Sequence, residues 1–229
     1  MSASLGPDLV QNGLQLALDA GNFKSYSGTE TVWKDLSGFN RHFNILSGMI
    51  TNFNRRGYFF LPAVNANGQA ASQSTLNLGA TNITVSVWIR VYTHGDWNNF
   101  VRNNWVNTGW LLYASSSSWH FGCARNGTQF NASIIHNNTS TNQWINLVGV
   151  YDSVVPALYV NTVRNTNTIS GSPANINLDV NRTIFVGSIF NPGNVDIANV
   201  MVYNRALSQN EVNQNFKALR SKFHPLAGV

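Results

Sequence analysis

Leu14, Leu16 and Leu18 alternate with Gln15, Ala17 and Asp19, the period-two pattern of a strand that buries one face. The same alternation runs through ITVSVWIRVY, where Ile83, Val85, Val87, Ile89 and Val91 share one face and Thr84, Ser86, Trp88, Arg90 and Tyr92 the other. The aliphatic face is core. The mixed face suits a solvated side, a layer beneath a loop or the wall of a groove. Further strands are predicted over 43–46, 58–61, 109–114, 119–124, 129–135, 144–151, 157–163, 183–188 and 197–204, with Gly, Asn and Ser turns such as Gly21-Asn22 and Ser27-Gly28 between elements. Many short strands with such punctuation predict a sandwich or barrel rather than a parallel α/β sheet.

The period changes once, near the C-terminal end. Ser208-Gln-Asn-Glu211 is a capping box, in which serine and glutamate reciprocally satisfy free backbone N–H groups. Val212, Phe216 and Leu219 follow at helical spacing, and Lys217, Arg220 and Lys222 suit the negative end of the helix dipole. The spacing predicts a short amphipathic helix docked on the strands.

Composition narrows the picture. With 229 residues, 43% hydrophobic and 12% aromatic, the chain can bury a substantial core, and a single domain spanning 1–229, its core about 13–223, is expected. Only 10% of residues are charged, against roughly 25% in ordinary soluble domains. The surface is therefore covered largely by neutral hydrogen-bonding groups, which can meet hydroxyl-rich glycans or other subunits without desolvating many charges. The net charge of +5 favours acidic neighbours, but Lys and Arg form no run that would make a nucleic-acid stripe, which argues against a nucleic-acid partner. The lone Cys123 has no intramolecular partner, no Cys/His spacing suggests zinc, and it reads as a small buried residue. No apolar run approaches the ~18 residues of a membrane span. MSASLGPDLVQNG lacks the basic and apolar regions of a secretory signal, so a product of the cytoplasm without membrane insertion is expected.

Candidate chemistry is sparse. Glycosidases need two flanking carboxylates, yet the only glutamates are Glu30 and Glu211, and Glu211 belongs to the helix cap. A lyase could use His120, His136, Arg125 and Tyr113, although isolated histidines among Asn-rich strands are more often structural. No catalytic residue is assigned. For ligand binding, Trp97, Trp105, Arg102, Asn103, Asn104 and His94 combine indole faces, which stack on sugars, with amides and a guanidinium that bind hydroxyls. The same residues suit a subunit contact equally well. Trp110 and Trp119 read as core.

The segments LDAGNFKSYSGTETVWKDLSGFNRHFNI, ITVSVWIRVY, NQWINLVGVYDSVVPALYVNTV, RTIFVGSIF and IANVMVYNRALSQNEVNQNFKALRSKF resemble, in order, the strands of LamG-like jelly-roll domains of the concanavalin A-like lectin and glucanase superfamily. The resemblance runs from Gly13 to Phe223. It implies an all-β fold, an antiparallel jelly-roll β-sandwich with a short C-terminal helix, and structural roles for Trp33, Trp88 and Trp144. LDAGN, W-x-D-L-S-G and YNRALS-x-x-E are similar to domains in structural proteins of tailed bacteriophages, notably cyanophages. This implies a non-enzymatic virion protein, made in the host cytoplasm and carried as a capsid decoration or cement or as a fibre component, with host-surface glycan binding as a further capacity. Its partners would be capsid or fibre subunits, further copies of itself in a homo-oligomer or multicopy assembly, and a cell-surface glycan. The alternatives are a polysaccharide-degrading enzyme, lyase or glycosidase, for which the glutamate-aspartate-glutamate strand motif of the superfamily's glucanases is missing, or a cellular lectin. LamG-like domains often carry Ca²⁺ at an edge, which the resemblance would place at Asp35 and Asp196. The competing reading has Asp35 capping a turn and Asp196 opening a strand.

Overall fold

The structure, a computed structural model, describes residues 7–45, 53–54, 57–61, 71–73, 81–93, 98–103, 108–115, 118–125, 128–135, 142–165, 183–187 and 194–223. Its first strands are β1 (Leu14–Asp19), β2 (Val32–Trp33), β3 (Phe43–Ile45), β4 (Phe53–Asn54), β5 (Tyr58–Leu61) and β6 (Ala71–Gln73). The central ones are β7 (Ile83–Val91), β8 (Asn98–Asn103), β9 (Thr108–Ser115), β10 (Ser118–Arg125) and β11 (Thr128–Ile135). The chain continues through β12 (Trp144–Tyr151), β13 (Pro156–Val160), β14 (Val163–Asn165), β15 (Ile184–Val186) and β16 (Val195–Tyr203) to the helix α1 (Gln209–Phe223).

Two antiparallel sheets result. The first runs β14-β13-β12-β7-β16-β5-β4, with β1 sharing the β5 edge of β16. The second runs β11-β10-β9-β8-β15-β6-β3-β2. Ile83, Val85, Val87, Ile89 and Val91 are fully buried and join Trp110, Trp119, Phe121 and Cys123 of the second sheet in one apolar cluster. This is the sandwich core, and Cys123, Trp110 and Trp119 lie in it as their sequence positions predict.

The mixed face of β7 is covered by α1. Trp88 stacks on Phe216 and Phe223, with ring centroids 5.3 and 4.4 Å apart. Val212, Leu219 and Phe223 pack there with Tyr203, Met201 and Val10 in a second apolar cluster. The predicted capping box is formed: the Ser208 N–H donates to Glu211 Oε2 at 2.9 Å and the Glu211 N–H to Ser208 Oγ at 3.3 Å.

Several elements depart from expectation. The predicted strand over 157–163 is instead the hairpin of β13 and β14, because Asn161 and Thr162 adopt positive φ (46° and 77°) and reverse the chain. Segments β2, β4, β6 and β8 were not expected from alternation. In β8 the sequence NNFVRN has none, since a register shift between Asn99 and Val101 turns both Phe100 and Val101 into the core.

Candidate functional site

That bulge sets the geometry of the face of the second sheet that points away from the core. Along β8, Val101 pairs with Leu112 and belongs to the core, so Arg102, paired with Leu111, emerges on the opposite side. Asn99 emerges there too, opposite Tyr113, which pairs in turn with His120 on β10. On the other flank Arg102 pairs with Phe185 of β15, and its guanidinium lies over that ring, 4.6 Å from the centroid. Register therefore gathers Asn99, Arg102, Leu111, Tyr113, His120 and Phe185 on one surface, with Gly122 beside Leu111 leaving a side-chain-free gap.

This surface is built rather than loosely solvated. Asn99 is 3% exposed, Arg102 7% and Tyr113 2%. The rings of Tyr113 and His120 stack at 4.6 Å and 15°. Burial pushes the Tyr113 hydroxyl up to about 12 and lowers the basicity of His120. Asn99 Oδ1, Arg102 Nε and His120 Nδ1 are buried without hydrogen-bond partners, a costly state for polar groups that a ligand or water relieves. Two flat rings, an arene under a guanidinium and an amide form the mixture of rigid apolar surface and few directional polar groups that small-ligand sites use.

Of the residues expected to bind, Arg102 lies on this face. Asn103 does not: it pairs with Trp110 and Ile184, is 1% exposed and belongs to the core side of β8. His94, Trp97, Asn104 and Trp105 lie outside the described residues. Sequence reading missed Phe185 and did not place Asn99 on one face with Arg102. Alternation could not join that pair, because the bulge separates Asn99 from Arg102 by three positions instead of an even number.

The pair expected to hold calcium does not fit an ion. Asp35 Oδ1 accepts the N–H groups of Ala17 and Ser37, each at 2.9 Å, and Oδ2 accepts the Arg41 N–H at 3.1 Å and the Ser37 hydroxyl at 2.7 Å. Four donors fill both oxygens, so this carboxylate staples its loop to β1, as the turn reading predicts. Asp196, in β16, instead accepts Arg90 Nε and the Tyr92 hydroxyl, both at 2.8 Å. Burial raises its carboxyl, and those two hydrogen bonds pull it partly back. Ala17 pairs with Met201, five residues along β16 from Asp196, which places the two carboxylates on the order of 15 Å apart at strand rise. Among the described residues no group of three or more His, Cys, Asp or Glu could hold a metal.

A concavity of about 440 Å³ lies elsewhere, between the N-terminal segment and α1, bordered by Leu14, Ala17, Leu36, Asn199, Leu219 and Lys222. Lys222 pairs there with Asp19, and Asn199 Nδ2 donates to the Leu18 carbonyl.

Residues 63–213 match the sequence profile Laminin_G_3, described as the concanavalin A-like lectin/glucanases superfamily. No curated protein matches the chain. Among solved structures it is similar to the botulinum neurotoxin serotype D binding domain, with a TM-score of 0.70 at 15% identity over 90% of this chain and 51% of that one. The botulinum neurotoxin DC binding domain in complex with SialylT gives 0.67 at 16% over 91% and 52%. The binding domain of Paraclostridial Mosquitocidal Protein 1 gives 0.66 at 19% over 90% and 52%. The chain thus spans about half the length of these binding domains, and at such identity the likeness concerns the fold.

Proposed function

Because the chain belongs to the concanavalin A-like lectin/glucanase superfamily, we propose that it is a non-enzymatic, lectin-like binding module of a tailed-phage particle, whose second sheet recognises sugar through its outer face. The observation that carries the binding half is the convergence there of Phe185, Tyr113, His120, Asn99 and Arg102, with orphaned polar atoms facing the same way. Similarity to solved toxin binding domains, one of them in complex with SialylT, supports a recognition role. The virion half rests on the LDAGN, W-x-D-L-S-G and YNRALS-x-x-E segments. In this reading the protein decorates or cements the capsid or forms part of a fibre, contacting other virion subunits and further copies of itself. Trp97 directly precedes β8 and Trp105 follows it by two residues, so both belong to the proposed sugar-binding segment.

The test is a glycan array with the free protein, run beside localisation on purified particles. Binding that falls at least tenfold in Phe185→Ala, Trp97→Ala or Trp105→Ala, together with regular density on the particle, is the expected result. A silent array removes the lectin half, and absence from particles removes the virion half.

One observation favours a second reading, a polysaccharide lyase: Tyr113 and His120 are cross-strand neighbours on the face that carries Arg102. Their rings, however, are stacked. Incubation with polyuronates decides the matter, since a lyase releases unsaturated ends that absorb in the ultraviolet, and the binding-module reading expects none.

A further inference from the structure

Arg102 is the only cation among the described residues whose side chain sits in the buried class. Four other described cations are paired with acids: Arg90 with Asp196, Arg205 with Glu211, Lys34 with Glu30 and Lys222 with Asp19. No described carboxylate pairs with Arg102, whose recorded contact is the Phe185 ring. Burial alone pulls its basicity below the ordinary value. A guanidinium held out of water without a counter-charge is costly, and a ring face recovers only part of that cost.

The missing partner can be inferred from the geometry. A guanidinium presents a rigid planar fork of N–H donors, which a carboxylate matches with two parallel hydrogen bonds. Around it lie the half-buried rings of Phe185 and His120, and Asn99 Oδ1 and His120 Nδ1 offer unpartnered polar atoms on the same side of the sheet. A ring that carries both a carboxylate and hydroxyls satisfies all of these at once, whereas a neutral sugar leaves the guanidinium without an anion.

We infer that the outer face of the second sheet is selective for acidic sugars, with Arg102 binding the carboxylate of a uronate or sialate residue and Phe185 flanking it. The inference deepens the carbohydrate-binding reading and rests on it. The net charge of +5 draws such polyanions toward the protein but does not select among them.

Calorimetric titration of the unmodified protein separates the possibilities. The probes are polygalacturonate against its carboxyl-reduced form, sialyllactose against lactose, and dextran sulfate as a polyanion without carboxylates. At least tenfold tighter binding of one carboxylated probe than of its neutral counterpart, and of dextran sulfate, is expected, and the pair that responds identifies uronate or sialate. Arg102→Gln is expected to erase that preference, and Arg102→Lys to leave most of it lost, because an ammonium lacks the fork. Equal affinity for acidic and neutral members of both pairs overturns the inference and leaves the lectin reading standing. Dextran sulfate binding as tightly as the carboxylated probes overturns it too. No binding of any sugar, neutral or acidic, overturns both. Should the Arg102 variants fail to fold, as judged by circular dichroism, the comparison on the unmodified protein and an Asn99→Ala variant still decide.

Discussion

Among the described residues, acidic side chains hold the chain to itself in different ways. Asp196 is fully buried and serves Arg90, which is also enclosed by the rings of Tyr58, Tyr92 and Trp144, each about 5 Å away. Removing the carboxylate leaves a desolvated guanidinium, so Asp196→Ala should cost about 3 kcal/mol or more in chemical denaturation. A change within ~0.5 kcal/mol, the usual range for surface substitutions, would mean that the pair is solvated. Glu211 behaves in the opposite manner. The bidentate Arg205 contact, at 2.6 and 3.0 Å, and the Ser208 hydrogen bonds hold its carboxyl down at about 2, against an ordinary 4.5. A depressed carboxyl contributes stability that is complete above its unfolded value and is lost as pH falls through the folded one. Thermal melts should therefore decline between about pH 4.5 and 2, and Glu211→Gln should flatten that limb while melting lower than the parent at pH 7; identical acid limbs would contradict the assignment. The capping role of Glu211 was legible in sequence because a capping box is local. The partner of Asp196 was not, since Arg90 lies 106 residues away.

Among elements, those with one continuously buried face were the readable ones. β7 and β12 are central strands, and β7 keeps period two from end to end. β8 escaped detection because its bulge places Phe100 and Val101 consecutively in the core, and that same irregularity projects Asn99 and Arg102 together on the outer face. The candidate site thus arises where the pattern fails, which is why Arg102, Tyr113 and His120 were noticed for their residue types but not as neighbours on one face. The two sheets approach each other tightly where Gly149 of β12 faces Phe121 of β10. Gly149 lies between the core residues Val85 and Leu158 in register, and a Cβ there would overlap the ring of Phe121. Gly149→Ala should destabilise by about 2 kcal/mol through overpacking, and Phe121→Leu in the same chain should recover part of that loss; a neutral Gly149→Ala in denaturant titration would mean that the sheets can separate at no cost.

At the scale of the whole molecule the two outer faces are unequal. On the first sheet α1 and the N-terminal segment seal the surface: Trp88 is fully buried, and Tyr203 holds both the Val10 carbonyl and Asn215 through its hydroxyl. On the second sheet the described residues of the outer face include a buried cation and orphaned polar atoms. A protein with one sealed face and one face proposed for recognition is suited to display, with the sealed side free to serve as the support. A single face with a few directional groups is expected to bind a sugar weakly, and repetition is what makes such contacts useful: linked copies gain roughly 10²–10⁴ in apparent affinity without any new contact. The proposed virion role therefore predicts that a tetramer made by fusing the chain to an inert tetrameric scaffold will hold a dense carboxylated glycan surface at least a hundredfold longer than the free chain in surface plasmon resonance. The gain should vanish on a surface loaded sparsely enough to keep glycans beyond the reach of neighbouring copies, and Arg102→Gln should weaken both forms by a common factor before avidity multiplies it. If the tetramer and the free chain dissociate at the same rate from the dense surface, each copy acts alone, and multivalent display cannot be how this module works.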